Sequence, residues 1–238
     1  MEEKITSVKR DIVIKVPVER VWRALITPSE RNKWETRSCE MDLRIGGVAT
    51  FDYGWGVSYS AKIVDLVENE RIVFEGEDNH QTIWSVEAHS EGTKLTVEYT
   101  GLWIGDLGLM QADNMVFGTY QFMRNLKSVM ENEMDIRQTF WKSWIGALHR
   151  TVEEEGVKGV KVVQLIKDTP AAIELQIGDI IVQVNETNVE RYEDLEILVT
   201  EIGAEQRLTL DIIRNSEKHK VKLSTLPYGQ KLEENVLG

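Results

Sequence analysis

Phe51, Tyr53 and Trp55 stand at alternate positions, Tyr59 follows, and Trp84, Tyr99 and Trp103 come later in the chain. Alternate residues of a strand share one face. Such a set can therefore line a space between a sheet and whatever covers it. The chemistry on offer is recognition of a flat apolar molecule, with phenol hydroxyls as polar handles. Trp34, Met115 and Phe122 add apolar bulk from helical segments. The candidate cavity residues are thus Trp34, Phe51, Tyr53, Trp55, Tyr59, Trp84, Tyr99, Trp103, Met115 and Phe122. A filled core has the same pattern, because aromatics at strand spacing also pack against one another.

Other chemistry finds little support. None of the four histidines, His80, His89, His149 and His219, stands at metal-ligand spacing with another His, Cys or carboxylate. Ser58, Ser60 and Ser85 lack a Gly-x-Ser-x-Gly elbow. Gly54-Trp55-Gly56 and Gly105…Gly108 lack the Lys-Ser/Thr of a phosphate loop. Glu75 and Glu77 alternate on one face, where solvation is the simpler role than an acid–base pair. Cys39, the single cysteine, reads as a small buried residue and admits no intrachain disulfide. No catalytic residue, metal or cofactor is expected.

Charge and composition narrow the partners. The net charge is −12. Through Met134 there are 15 Lys and Arg against 22 Asp and Glu, and after it 13 against 18, so both parts are acidic. That disfavours nucleic acid as a partner. The first residues, MEEKITSVKRD, lack the apolar core of a secretory signal. No apolar run approaches the ~18–20 residues that cross a bilayer. The expectation is a cytoplasmic protein with no membrane span, its oligomeric state left open.

The elements that would position the aromatics follow from periodicity. Ile12, Ile14 and Val16 share a strand face. Pro17 opens a helix over 18–26, and Thr27-Pro28 restarts a second one toward Trp34. Six strand-like runs follow, at about 40–45, 48–53, 57–66, 72–77, 82–88 and 94–100, separated by turn residues. Ala112, Met115, Thr119, Phe122, Leu126 and Val129 then form the stripe of a helix over 111–132. A curved antiparallel sheet gripping one long helix satisfies this order.

The stretches VPVERVWRALITPSERNKW, RIGGVATF and EGTKLTVEYTG, with the final helix, resemble the SRPBCC or START-like superfamily. Within it they are most similar to the group related to the activator of the Hsp90 ATPase. The resemblance covers roughly residues 5–133. It implies a cavity for a hydrophobic small molecule, or contact with a client protein.

Farther on, GVKVVQLIKDTPAAIELQIGDIIVQVNETNVERYEDLEILV resembles a PDZ domain of the HtrA-like type, over about 140–226. That resemblance implies a groove between a helix and an edge strand, where a peptide C-terminus adds as a further strand. The matching carboxylate-binding positions are Trp144, Ile145, Gly146 and Ala147, with Leu195 and Val199 completing an apolar pocket. The family's Ala-Gly-Leu is replaced by Ile173-Glu174-Leu175, one residue shorter, which puts the turn geometry there in question. An occluded groove used as scaffold is the alternative.

The expected fold class is α+β. A helix-grip, START-like domain spans 1–133. A small PDZ-like β-barrel with one main helix spans 134–226, including a structured junction at 134–143, and 227–238 is a tail leaving the domain. The expected function is non-enzymatic binding of a small hydrophobic ligand or client protein and of a peptide C-terminus. An enzyme of cyclase or hydrolase type is one alternative, requiring Tyr53, Tyr59 or Tyr99 near an inward carboxylate. A co-chaperone that stimulates an Hsp90-type ATPase is the other.

Overall fold

A computed structural model describes residues 2–77, 79–154 and 156–232. The described chain folds into two compact units, residues 5–103 with 115–138, and residues 2–4 with 104–114 and 139–232. No helix among the described residues is long and apolar enough to cross a membrane.

The amino-terminal unit begins with β1 (Lys4–Ile14). Pro17 then opens α1 (Val18–Ile26), which buries Val21, Trp22 and Leu25 at spacings of one and three. Thr27 ends that helix, and Pro28 restarts the chain as the single turn α2 (Pro28–Arg31). Five antiparallel strands follow: β2 (Ser38–Met41), β3 (Val48–Asp52), β4 (Ser58–Val67), β5 (Arg71–Glu75) and β6 (Gln81–His89). β7 (Gly92–Ile104) runs directly into α3 (Gly105–Asn132). The sheet order is β1-β7-β6-β5-β4-β3-β2.

The long helix starts six residues before the periodicity suggests, because Gly105, with φ at +67°, turns the strand straight into it. Ala112, Phe122 and Leu126 of the expected stripe are buried, as are Val116, Phe117 and Met123. Met115 and Thr119 are less covered. The first turns of α3 belong to the carboxy-terminal unit, where Asp106 pairs with Arg150 at 2.7 Å.

In the carboxy-terminal unit, β8 (Ser143–Trp144) leads to the hairpin of β9 (Ala147–Glu154) and β10 (Val157–Leu165). After α4 (Pro170–Glu174) come β11 (Ile180–Val184), β12 (Thr187–Asn188) and α5 (Tyr192–Thr200). The hairpin of β13 (Arg207–Arg214) and β14 (Glu217–Ser224) completes the sheet, ordered β14-β13-β11-β10-β9. That path is open, so the unit is not a closed barrel. Ile145, Val160, Val162, Ile181, Leu195, Leu208, Leu210 and Ile212 are among its core residues.

The shortened Ile173-Glu174-Leu175 segment is accommodated locally. Leu175 N–H closes the single turn of α4 on the Ala171 carbonyl at 2.8 Å. Gly178, with φ at +98°, then delivers Asp179 into the core, where both its oxygens accept 2.7 Å bonds from Arg214. The chain after the last long strand also differs from the expected departing tail. β15 (Leu226–Pro227) pairs with β8, and the described chain stays against its unit as far as Leu232, whose N–H reaches the Asp168 carbonyl at 2.7 Å. Residues 233–238 of the expected tail lie outside the described residues.

Candidate functional site

Strand register builds the first site. On the inner face, Phe51 of β3 opposes Tyr59 of β4, and Phe74 of β5, Thr82 of β6 and Tyr99 of β7 form one cross-strand row. Cross-strand neighbours on a face sit within side-chain contact. Phe51 meets Phe74 edge-on at 5.4 Å, while Phe51 and Tyr59 stack at 6.2 Å. These walls, with Trp84, Tyr53 and Met115, surround a cavity of about 340 Å³. That lies at the lower end of the range for small-ligand pockets. Glu77 and His80, on the turn between β5 and β6, are exposed and line it as well.

The floor is polar. Arg31 and Glu35 are both buried and ion-paired, Nε of Arg31 donating to Oε2 of Glu35. Nη1 donates to the Leu25 carbonyl at 2.8 Å. The guanidinium lies over the Phe51 ring at 4.6 Å and within 5.3–5.7 Å of Trp34, Trp84 and Phe74. Burial opposes its charge, yet the adjoining Glu35 carboxylate outweighs burial and raises its pKa. Tyr53 donates weakly to Oε1 of Glu35 at 3.4 Å. Burial, reinforced by Glu35, pushes the Tyr53 phenol well above its ordinary value. Burial likewise pushes Tyr99 up to about 12, against a 2.5 Å hydrogen bond to Thr119. At neutral pH these phenols are hydrogen-bonding groups, not bases.

Of the ten aromatic and Met positions singled out from the sequence, Phe51, Tyr53, Tyr59, Trp84, Tyr99 and Met115 line the cavity. The other four do not. Trp34 is fully buried, edge-on to Trp84 at 6.0 Å, with its indole N–H on the Ala24 carbonyl. Phe122 is buried and stacks on Trp55 at 6.4 Å, whereas Trp55 itself is 59% exposed. Trp103 is half-buried, its ring folded onto Gly101. Sequence reasoning missed Arg31, Glu35, Phe74, Gly76, Glu77, His80 and Thr82. The available signal was the placement of Arg31 and Glu35 at i, i+4 on the face that also carries Trp34.

A second candidate site lies between the start of β9, at the edge of its sheet, and α5. Ile145, Ala147, Leu195 and Val199 are buried there, beside a hollow of about 120 Å³. His149 on the strand stands 3.2 Å from Glu196 on the helix without making a hydrogen bond, and its ring packs on Tyr192 at 4.6 Å. The end of this hollow at Trp144–Ala147, where the resemblance implies a peptide carboxylate, is covered by the protein's own chain. Trp144 donates its indole N–H to the Gln230 carbonyl at 2.7 Å and packs against Tyr228, whose own N–H reaches the Lys142 carbonyl. Tyr228 and Gly229 line the hollow. Gly146 has φ at +85°, and a Cβ there would fall 2.2 Å from Thr169 Oγ1. Its missing side chain thus serves packing against Thr169.

These two sites define a helix-grip fold with an aromatic cavity, joined to a sheet-and-helix unit with an edge-strand groove. Comparison with known proteins agrees. Residues 15–131 match the family model of the Activator of Hsp90 ATPase homolog 1-like protein, and residues 130–225 match that of the PDZ domain. The chain joins an Activator of Hsp90 ATPase homolog 1-like region to a PDZ domain.

Among solved structures, the protein SSP2350 from Staphylococcus saprophyticus is 20% identical, covering 55% of this chain and 96% of its own, with a TM-score of 0.50. The Aha1 dimer from Colwellia psychrerythraea is 18% identical over 54% and 98%, with a TM-score of 0.48. SA2116 from Staphylococcus aureus, described as a protein of unknown function, is 16% identical over 56% and 96%, at 0.47. At such identities the likeness concerns the fold. No curated protein matches the chain.

Proposed function

We propose that the protein is a non-enzymatic binding module whose amino-terminal unit holds a small apolar ligand in the aromatic cavity. The observation that carries this reading is the cavity of about 340 Å³, walled by rings and floored by the buried Arg31–Glu35 pair. A concave site with aromatic walls and a few fixed polar groups is the usual form of a ligand site. Native mass spectrometry of the purified protein, followed by titration with a panel of flat apolar compounds, tests it. Neither a copurified mass nor a saturable binder would end the reading.

The enzyme alternative gains one of its requirements, since Glu35 is an inward carboxylate beside Tyr53. Binding remains the better-supported reading, because Oε2 of Glu35 is engaged by Arg31 and Tyr53 resists ionisation. Recovery of a bound compound chemically unchanged after long incubation would separate the two. Peptide capture by the PDZ groove belongs to the same reading, with the segment around Tyr228 setting access. A cytoplasmic setting fits the single buried Cys39. Co-chaperone action rests on the family likeness alone, and an Hsp90-type ATPase assay at saturating protein tests it.

A further inference from the structure

The floor of the cavity holds an ion pair with unused hydrogen-bonding capacity. Of the Arg31 nitrogens, Nε serves Glu35 and Nη1 serves Leu25. Nη2 has no hydrogen-bond partner among the described residues, although Arg31 is 2% exposed and lines the cavity. It is also not among the buried polar atoms cut off from open space. On the other side, Oε1 of Glu35 receives only the 3.4 Å contact from Tyr53. A spare donor and a weakly engaged acceptor are therefore carried by two cavity-lining side chains whose charges cancel.

From this juxtaposition we propose that the cavity selects a neutral ligand with an aromatic body and an amide-type edge, a carbonyl beside an N–H, over its carboxylate or ammonium counterparts. The inference rests on the ligand-binding reading above. A ligand carbonyl accepts from Nη2 and the adjoining N–H donates to Oε1 of Glu35, so each orphan group is satisfied. A carboxylate would gain from Arg31 but set its own charge beside the Glu35 carboxylate, with Glu77 at the turn adding to the repulsion. An ammonium would gain from Glu35 and meet Arg31. Either ion would also lose its hydration for a floor that is already neutral overall. The rings of Phe51, Phe74 and Trp84 suit one or two fused aromatic rings as the body.

Three probes with the same ring system separate these cases: 2-naphthamide, 2-naphthoate and 2-naphthylmethylammonium, each titrated calorimetrically into the full chain at pH 7. Naphthamide is expected to bind at least about tenfold more tightly than either ion, the equivalent of about 1.4 kcal/mol. In Glu35→Gln the floor becomes net cationic, so the preference should move to naphthoate. Naphthoate or the ammonium binding the wild type as tightly as naphthamide overturns the proposed ligand class and leaves the cavity reading standing. Failure of all three to bind at millimolar concentration removes both. The wild-type ranking decides the matter by itself if Glu35→Gln does not fold.

Discussion

Replacing Arg31 by Met keeps an unbranched apolar chain among the rings of Phe51, Phe74 and Trp84 but strips Glu35 of its partner. In the ion pair, the side chains of Arg31 and Glu35 are 3% and 4% exposed, so solvent offers little compensation. Breaking a pair this buried from one side costs about 3–5 kcal/mol, because a carboxylate is left alone in a low-dielectric interior. The unmet Leu25 carbonyl adds about 1 kcal/mol. Arg31→Met should therefore destabilise the amino-terminal unit by about 4–6 kcal/mol. Adding Glu35→Leu removes the stranded charge and should restore much of that loss, with a coupling of at least about 2 kcal/mol between the sites.

A two-unit chain need not unfold in one step, so the free energy is best read from hydrogen exchange of the Ile72 and Trp84 amides. These lie in the centre of the amino-terminal sheet. If Arg31→Met costs less than about 1 kcal/mol and the double variant equals the sum of the singles, the pair does not hold the cavity floor as described.

Three further outcomes follow from the geometry. Tyr99 and Tyr53 should stay protonated well above pH 10 in an ultraviolet titration. Because the folded state favours the neutral phenol, stability is fully present below pH 10 and falls as pH rises toward 12, by up to about 3 kcal/mol for Tyr99. Ionisation of all six tyrosines at the ordinary pH without unfolding would contradict the shielding of these two rings. Gly146→Ala should destabilise the carboxy-terminal unit by about 1–3 kcal/mol in thermal unfolding, through the clash with Thr169 and the positive φ. An unchanged melting temperature would show that the Thr169 contact does not constrain this position. Tyr228→Ala should raise the affinity for a C-terminal peptide severalfold in fluorescence anisotropy, by uncovering the end of the groove. Equal or weaker binding would mean that the segment does not limit access.

Strand alternation and helical stripes made the amino-terminal architecture legible. They require only that each element bury one face, which is a local property of the chain. The Pro-Ala-Ala and Gly-Asp signals of the second unit were legible for a similar reason, since turn chemistry is local. The cavity was half legible. Phe51, Tyr53, Tyr59, Trp84 and Tyr99 announce themselves by type and spacing, yet nothing in that spacing says whether they fill a space or surround one. Trp34, Trp55, Trp103 and Phe122 show the limit, sharing the same residue chemistry but lying outside the lining.

By itself, then, the sequence determined the main strands and helices, their order, and which face of each turns inward. The tertiary structure alone decided what those faces enclose. Arg31 and Glu35 stand four residues apart with nothing in that spacing to mark them as interior, and only the sheet packed against α2 and the turn after it makes them a buried floor. The chain from Pro227 likewise reads as a departing tail, and only the pairing of Leu226–Pro227 with Ser143–Trp144, more than eighty residues away, holds it across the groove as far as Leu232. Both outcomes depend on contacts between distant segments, which periodicity within any one window does not encode.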